Sequence, residues 1–140
     1  MQKEMKMEFT SQSEYEGFAR VAVGAFIVGL NPTVDELADV KTAVSEAVTN
    51  AIIHGYDQKE GKVFITCQIA EQEVEICVID TGRGIVDIDK AREPLFTTRP
   101  ELERSGMGFT FMEAFMDQVW VDSRVGEGTR VTMRKKIGKA

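Results

Sequence analysis

The segment over residues 34–80 constrains the fold most, because an amphipathic helix there leads directly into two alternating strands. Apolar residues recur at spacings of three and four over residues 34–54, as they do on the buried face of a helix. Apolar and polar residues then alternate over Lys62–Ala70 and Glu73–Asp80, which predicts two strands joined by a tight turn. The segment therefore predicts helices packed on one face of a mostly antiparallel sheet.

Two polar clusters predict where the first helices begin. Residues 11–14, Ser-Gln-Ser-Glu, resemble a capping box, so we expect a helix from there to about Leu30. Thr33 and Glu36 resemble a second capping box, at the start of the next helix. The alternation of residues 5–9 predicts one more strand, ahead of both helices.

The C-terminal part of the chain completes the predicted sheet. The pattern indicates a short helix over residues 109–116 and strands over 119–124 and 129–136. Residues 86–105 contain two prolines and no sustained periodicity, which predicts a loop with at most one short helix. Together these elements predict an α/β (α+β) two-layer sandwich with a mixed, mostly antiparallel sheet.

The composition favours one soluble domain over residues 1–140, with 43% hydrophobic and 29% charged residues. The net charge of −6 argues against a nucleic-acid partner, which would require clustered Lys and Arg. Cys67 and Cys77 have no zinc-site spacing and lie in strand-like segments, so we expect buried reduced thiols in a cytoplasmic protein. The longest apolar stretch, residues 21–30, is too short to cross a bilayer, so we expect no membrane association.

Glu46 and Asn50 are the first candidate site residues, because a spacing of four places them on one face of the helix. A carboxylate can accept a proton from an attacking hydroxyl group, and an amide oxygen is a suitable Mg²⁺ ligand. An ordinary exposed helix face would also contain such a pair, and taken alone this is the simpler interpretation.

Two glycine-containing turns supply the other candidates. Asp80 ends an apolar strand, where a carboxylate can accept a hydrogen bond from an exocyclic amine, and Gly82 and Gly84 follow it. Gly106 and Gly108 precede a helix, where backbone N–H groups can bind phosphate. Each turn taken alone is also compatible with an ordinary loop.

The order and spacing of the three pieces, residues 46–55, 80–85 and 105–109, resemble the N, G1 and G2 boxes of the GHKL family of ATPases and kinases. This family includes gyrase, a heat-shock chaperone, histidine kinases and mismatch-repair MutL. The resemblance implies a Bergerat-type ATP-binding fold that holds Mg²⁺ with ATP or ADP under a lid, here at about residues 86–105.

The resemblance also implies a role for each candidate, position by position. Glu46 corresponds to the general base and Asn50 to the Mg²⁺ ligand. Asp80 corresponds to the residue that binds the adenine amine, and Gly82 and Gly84 shape the adenine pocket.

The remaining candidates contribute to the phosphate end and to the last strand. By the same resemblance, Ser105, Gly106 and Gly108 belong to the phosphate-binding turn, and Thr129 corresponds to the threonine that contacts adenine through water. Arg99 and Arg104 are candidates for a lid cation that stabilises the transferring phosphoryl group.

A chain of this length without further domains is similar to the bacterial anti-sigma serine kinases, in particular those of endospore-forming bacteria. That resemblance implies a homodimer, a sporulation sigma factor as one partner, and an anti-anti-sigma factor as serine substrate. Residues 18–34 contain a single charged residue, Arg20, so Arg20 is a candidate partner contact, although it is equally compatible with plain solvent exposure. A nucleotide-gated binding module without phosphotransfer and an ATP-hydrolysing switch stay open as alternatives.

Overall fold

The computed structural model of the chain describes residues 3–57, 59–93 and 108–138. Its sheet has five strands in the order β1-β2-β3-β5-β4. They are β1 (Lys3–Thr10), β2 (Lys62–Ala70), β3 (Glu73–Asp80), β4 (Gln118–Arg124) and β5 (Gly128–Lys136). Every strand pairing in the described part of the chain is antiparallel, so the predicted α+β sandwich is confirmed without a parallel pair.

The helices are α1 (Tyr15–Ile27), α2 (Val34–Asn50), α3 (Ile88–Ala91) and α4 (Gly108–Phe115). A 3-10 turn over Val28–Leu30 extends α1, and Asn31 follows it with a left-handed backbone conformation. The helix predicted over residues 34–54 is regular only to Asn50, and Ala51–Gly55 continues it as a π-helical turn. Single π turns of this kind are frequent at functional sites.

One face of the sheet packs against α1, α2 and α4, and the period of two along each strand decides which residues are buried. Val63, Ile65 and Cys67 on β2 alternate with half-buried residues, and β3 shows the same pattern. On α2 and the π turn, the apolar stripe of residues 37–51 faces the core: Leu37 is half-buried, and the remaining members are buried, namely Val40, Val44, Ala47, Val48 and Ala51.

Only one of the two predicted capping boxes forms. The Glu36 N–H donates to Thr33 Oγ1 at 3.0 Å, and the Thr33 N–H donates to Glu36 Oε1 at 2.9 Å. At the start of α1 no side chain caps the helix, so the prediction at residues 11–14 was wrong. Ser11 Oγ instead accepts the Gly61 N–H at 2.9 Å and donates to the Lys59 carbonyl at 3.0 Å, because the chain after β1 lies beside the loop before β2.

Both cysteines are free thiols, and they lie on opposite faces of the sheet, because Cys67 is opposite Ile76 in the register while Cys77 is opposite Thr66. Burial raises the pKa of the Cys67 thiol to about 12, which leaves it protonated and unreactive at neutral pH. Cys77 is only half-buried, so the expectation of two buried thiols holds for Cys67 alone. In the described ranges, no helix combines the length and apolar character that a membrane span requires.

Candidate nucleotide-binding site

A cavity of about 580 Å³ lies between the C-terminal part of α2, the end of β3, and helices α3 and α4. It is within the range of about 300–1,000 Å³ that is typical of small-molecule sites. The fold brings five of the sequence-predicted residues to its walls: Asn50, Asp80, Gly84, Gly108 and Thr129. Residues that are far apart in the chain therefore form one site.

Asp80 lines the cavity at the end of β3, with 5% of its surface exposed. Its Oδ1 accepts the Gly82 N–H at 2.9 Å. Burial raises the pKa of the carboxyl group to about 6, while the backbone N–H groups of Gly82 and Thr129 act in the opposite direction. The group is therefore ionised at neutral pH, and it is a strong acceptor in an apolar environment.

Several residues of the cavity wall are apolar. Ala51, Val78, Ile85 and Val131 line the cavity from the π turn, β3, the following turn and β5. A flat ring with an exocyclic amine fits such an environment, because the walls contact its faces while the carboxylate accepts the amine hydrogen bond.

Gly55 and Gly82 allow the π turn and the turn after β3 to approach each other. A Cβ atom on Gly55 would fall 2.7 Å from the carboxylate carbon of Asp80, and one on Gly82 would fall 2.0 Å from the Gly55 carbonyl oxygen. Gly82 itself contributes its N–H to Asp80 and does not line the cavity. Gly55, which ends the π turn, therefore also leaves space for the Asp80 carboxylate.

Ser123 on β4 connects three segments of the site, although it belongs to none of the motifs in the sequence. Its Oγ accepts the Ile85 N–H at 2.8 Å, lies 3.0 Å from the Gly128 carbonyl oxygen and 2.8 Å from Thr129 Oγ1. A serine hydroxyl has one proton, so donation to Gly128 leaves Thr129 to donate to Ser123. In that arrangement the lone pairs of Thr129 Oγ1 remain available to a ligand or a water molecule.

Asn50 lies five residues before Gly55 on the same helical segment, is half-buried and lines the cavity. Glu46 lies one turn earlier on α2 and is also half-buried, but among the described residues it is not part of the lining. Four residues of α-helix correspond to about 6 Å of rise, so Glu46 lies beyond Asn50 as seen from Asp80.

Gly108 begins α4 and lines the cavity together with Phe109, so the N-terminal end of this helix faces the ligand space. Helix N-termini attract anions through their unpaired N–H groups. Ser105, Gly106, Arg99 and Arg104 lie outside the described residues, as does most of the predicted lid. Of that lid, the structure describes residues 86–93, which include α3.

The donor set suits a Mg²⁺–nucleotide complex. Its lining offers an ionised acceptor beside apolar residues, a helix N-terminus and an amide oxygen. Mg²⁺ that accompanies a nucleotide commonly takes only one or two protein ligands, with phosphate oxygens and water completing its coordination. The side chain of Asn50, which lines the cavity, contains the amide oxygen that such a site would use.

Comparison with known proteins agrees with this geometry. The family described as the histidine kinase-like ATPase domain matches residues 9–135. The chain belongs to this family. Membership implies nucleotide binding.

Two close relatives share nearly the full length of the chain. The anti-sigma F factor of Clostridium beijerinckii is 60% identical over 134 residues, which cover 95% of this chain and 94% of that protein. The anti-sigma F factor of Geobacillus thermodenitrificans is 57% identical over 141 aligned positions, which cover 100% of this chain and 97% of the relative.

A solved structure shows the same fold at much lower identity. The catalytic domain of histidine kinase ThkA, in a nucleotide-free form, has a TM-score of 0.57 and 19% identity. The match covers 95% of this chain and 97% of that domain.

Proposed function

We propose that the protein is an anti-sigma factor that inhibits a sporulation sigma factor and acts as an ATP-dependent protein serine kinase on an anti-anti-sigma factor. The observation that carries the proposal is the cavity whose lining contains ionised Asp80, Asn50 and the start of α4. The chain that contains this cavity is 57–60% identical to proteins named anti-sigma F factor. A cytoplasmic location and a single domain over residues 1–140 stay predictions from the sequence.

In the proposed reaction, adenine is bound at Asp80 and the triphosphate extends toward Asn50 and the N-terminus of α4. Asn50 would hold Mg²⁺, which supplies charge neutralisation on the phosphates when it is bound. The serine oxygen of the substrate forms a bond to the γ-phosphorus atom, while the bond from that phosphorus to the oxygen of ADP breaks. Glu46 accepts the proton of the serine hydroxyl group.

The position of Glu46 is compatible with this role. It lies one turn beyond Asn50, so a serine that enters from outside the cavity would meet it next to the γ-phosphate. A nucleophile that belongs to another protein must approach from the open side, and a base deep inside the cavity could not contact it.

Partner binding is proposed for α1. Arg20 is exposed there, and Phe18 and Val21 beside it are each 61% exposed. Exposed aromatic and aliphatic side chains next to an arginine are typical of protein interfaces. We propose that this surface contributes to the homodimer or to contact with the sigma factor, with Arg20 at its rim.

The test is transfer of labelled γ-phosphate from ATP to a purified anti-anti-sigma factor by the wild type and by Glu46→Gln. We expect transfer by the wild type, its loss in Glu46→Gln, and ATP binding by both. Glu73→Gln at the exposed start of β3 is the matched control and should transfer phosphate normally. Normal transfer by Glu46→Gln would contradict the role of this residue.

A nucleotide-gated binding module without phosphotransfer is the second candidate, because the cavity can hold a nucleotide whether or not phosphate is transferred. In that case neither protein transfers phosphate although both bind ATP. Binding of the sigma factor should then differ between the ATP and ADP forms of the wild type.

A further inference from the structure

The Tyr56 hydroxyl group makes contacts that the proposed reaction does not use, at the point where β3 ends. It accepts the Thr81 N–H at 2.8 Å, lies 3.2 Å from Thr81 Oγ1, and donates to the Lys62 carbonyl oxygen. A phenolic hydroxyl has one proton and two lone pairs. Because the hydroxyl proton is donated to the Lys62 carbonyl oxygen, both lone pairs accept from Thr81. The hydroxyl group then has no hydrogen-bonding capacity left.

These contacts replace the next rung of the β2–β3 ladder. The last pair in the register is Val63 opposite Asp80, so continuation would place Lys62 opposite Thr81. The Tyr56 oxygen lies between this N–H and this carbonyl and bonds both of them. The chain can therefore leave the sheet directly after Asp80 without leaving either backbone group unsatisfied.

The same tyrosine belongs to the segment that ends the π turn. The Tyr56 N–H donates to the Ala51 carbonyl at 3.0 Å, and its ring packs against Gly61, where a Cβ would fall 2.5 Å from the ring. Next to it, the Gly55 carbonyl accepts the Arg83 N–H at 2.9 Å, and Arg83 Nε donates to the His54 carbonyl at 2.7 Å.

We infer that Tyr56 is a positioning residue for nucleotide-base recognition, because its hydroxyl fixes the backbone on the C-terminal side of Asp80 and thereby aims the carboxylate at the exocyclic amine. Gly82 fixes the carboxylate from within the same turn. Tyr56 adds a connection from Thr81 to the π turn over Ala51–Gly55, which begins directly after Asn50. The inference rests on the proposed nucleotide site.

The first experiment compares two nucleotides on the wild type and on Tyr56→Phe. ATP carries the exocyclic amine, and purine riboside triphosphate lacks it. A hydrogen bond to a charged acceptor corresponds to about 10- to 100-fold in affinity, so we expect the wild type to prefer ATP by that order. In Tyr56→Phe this preference should fall by about fivefold or more, because the carboxylate is no longer held in place.

The readout separates positioning from general stability. A variant that is merely less well folded would lose affinity for both nucleotides equally, and this result would overturn the inference. An unchanged preference in Tyr56→Phe would also overturn it. Tyr15→Phe is the matched control: Tyr15 is the chain's other tyrosine, lies on α1 and does not line the cavity, so the preference should stay at the wild-type value.

A second measurement on the wild type needs no variant and no nucleotide. The Thr81 amide should exchange slowly with solvent, as expected for an N–H that is bonded to the Tyr56 hydroxyl. Fast exchange of this amide would overturn the contact itself. Failure of the wild type to bind ATP would refute the proposed site, whereas ATP binding with unchanged preference in Tyr56→Phe would refute only the inference.

Discussion

Replacement of Asp80 by asparagine should stabilise the nucleotide-free protein while it removes ATP binding. The carboxyl group has an ordinary pKa of 3.8, and burial raises the pKa to about 6 in the folded state. The two pKa values differ by about two, and one pKa unit corresponds to about 1.4 kcal/mol. Ionisation of Asp80 therefore costs about 3 kcal/mol more in the folded protein than in the unfolded chain. An amide in the same place does not ionise and avoids this cost.

The sign of the pH dependence follows from proton binding. Between pH 3.8 and about 6, folded Asp80 retains a proton that the unfolded chain has released. The contribution of Asp80 to folding therefore becomes less favourable as pH rises through this window, and the full cost applies above pH 6. The advantage of Asp80→Asn in unfolding free energy should thus grow by about 3 kcal/mol between pH 3.5 and pH 7.

The assay is urea unfolding at a series of pH values and one protein concentration, followed by the fluorescence of Trp120, the only tryptophan. Asp122→Asn changes the net charge equally at an exposed position and should stay within about 0.5 kcal/mol of the wild type at pH 7. A constant difference between Asp80→Asn and the wild type over this pH range would refute the reasoning. ATP binding by Asp80→Asn at wild-type affinity would refute the assigned role in base recognition.

Three further predictions concern other parts of the molecule. Gly55→Ala should lower ATP affinity at least about tenfold in calorimetry, because the new Cβ would fall 2.7 Å from the Asp80 carboxylate. Gly29→Ala is the control and should bind ATP normally, because a Cβ at Gly29 would have no atom within 4 Å. Thr33→Ala should lower the unfolding free energy by about 1 kcal/mol, whereas Ser13→Ala should leave it unchanged in urea titrations, because only the Thr33 cap forms. Arg20→Glu should weaken sigma-factor binding in a pull-down titration and leave ATP affinity unchanged, and equal loss of both would contradict a contact role.

Short-range patterns made much of the fold predictable. β2 and β3 begin and end where the alternation predicts, because a strand buried on one face must place apolar residues at every second position. The cap by Thr33 and Glu36 was predictable for a similar reason, since both partners lie within one turn of helix. The wrong prediction at residues 11–14 shows the limit of local patterns. Glu14 follows Ser11 at the spacing of a capping box, but Ser11 Oγ accepts the N–H of the distant Gly61 instead.

The sequence by itself determined the strands, the main helices and the order of the three site segments, because these depend on residues that are close together in the chain. Only the tertiary structure decided how the site works. The burial that raises the pKa of Asp80, the space that Gly55 leaves for it, and the links through Ser123 and Tyr56 join residues from different elements. Such contacts depend on how the sheet and helices pack. The residues next to a serine, tyrosine or glycine in the sequence do not indicate which distant residue it will contact in the folded protein.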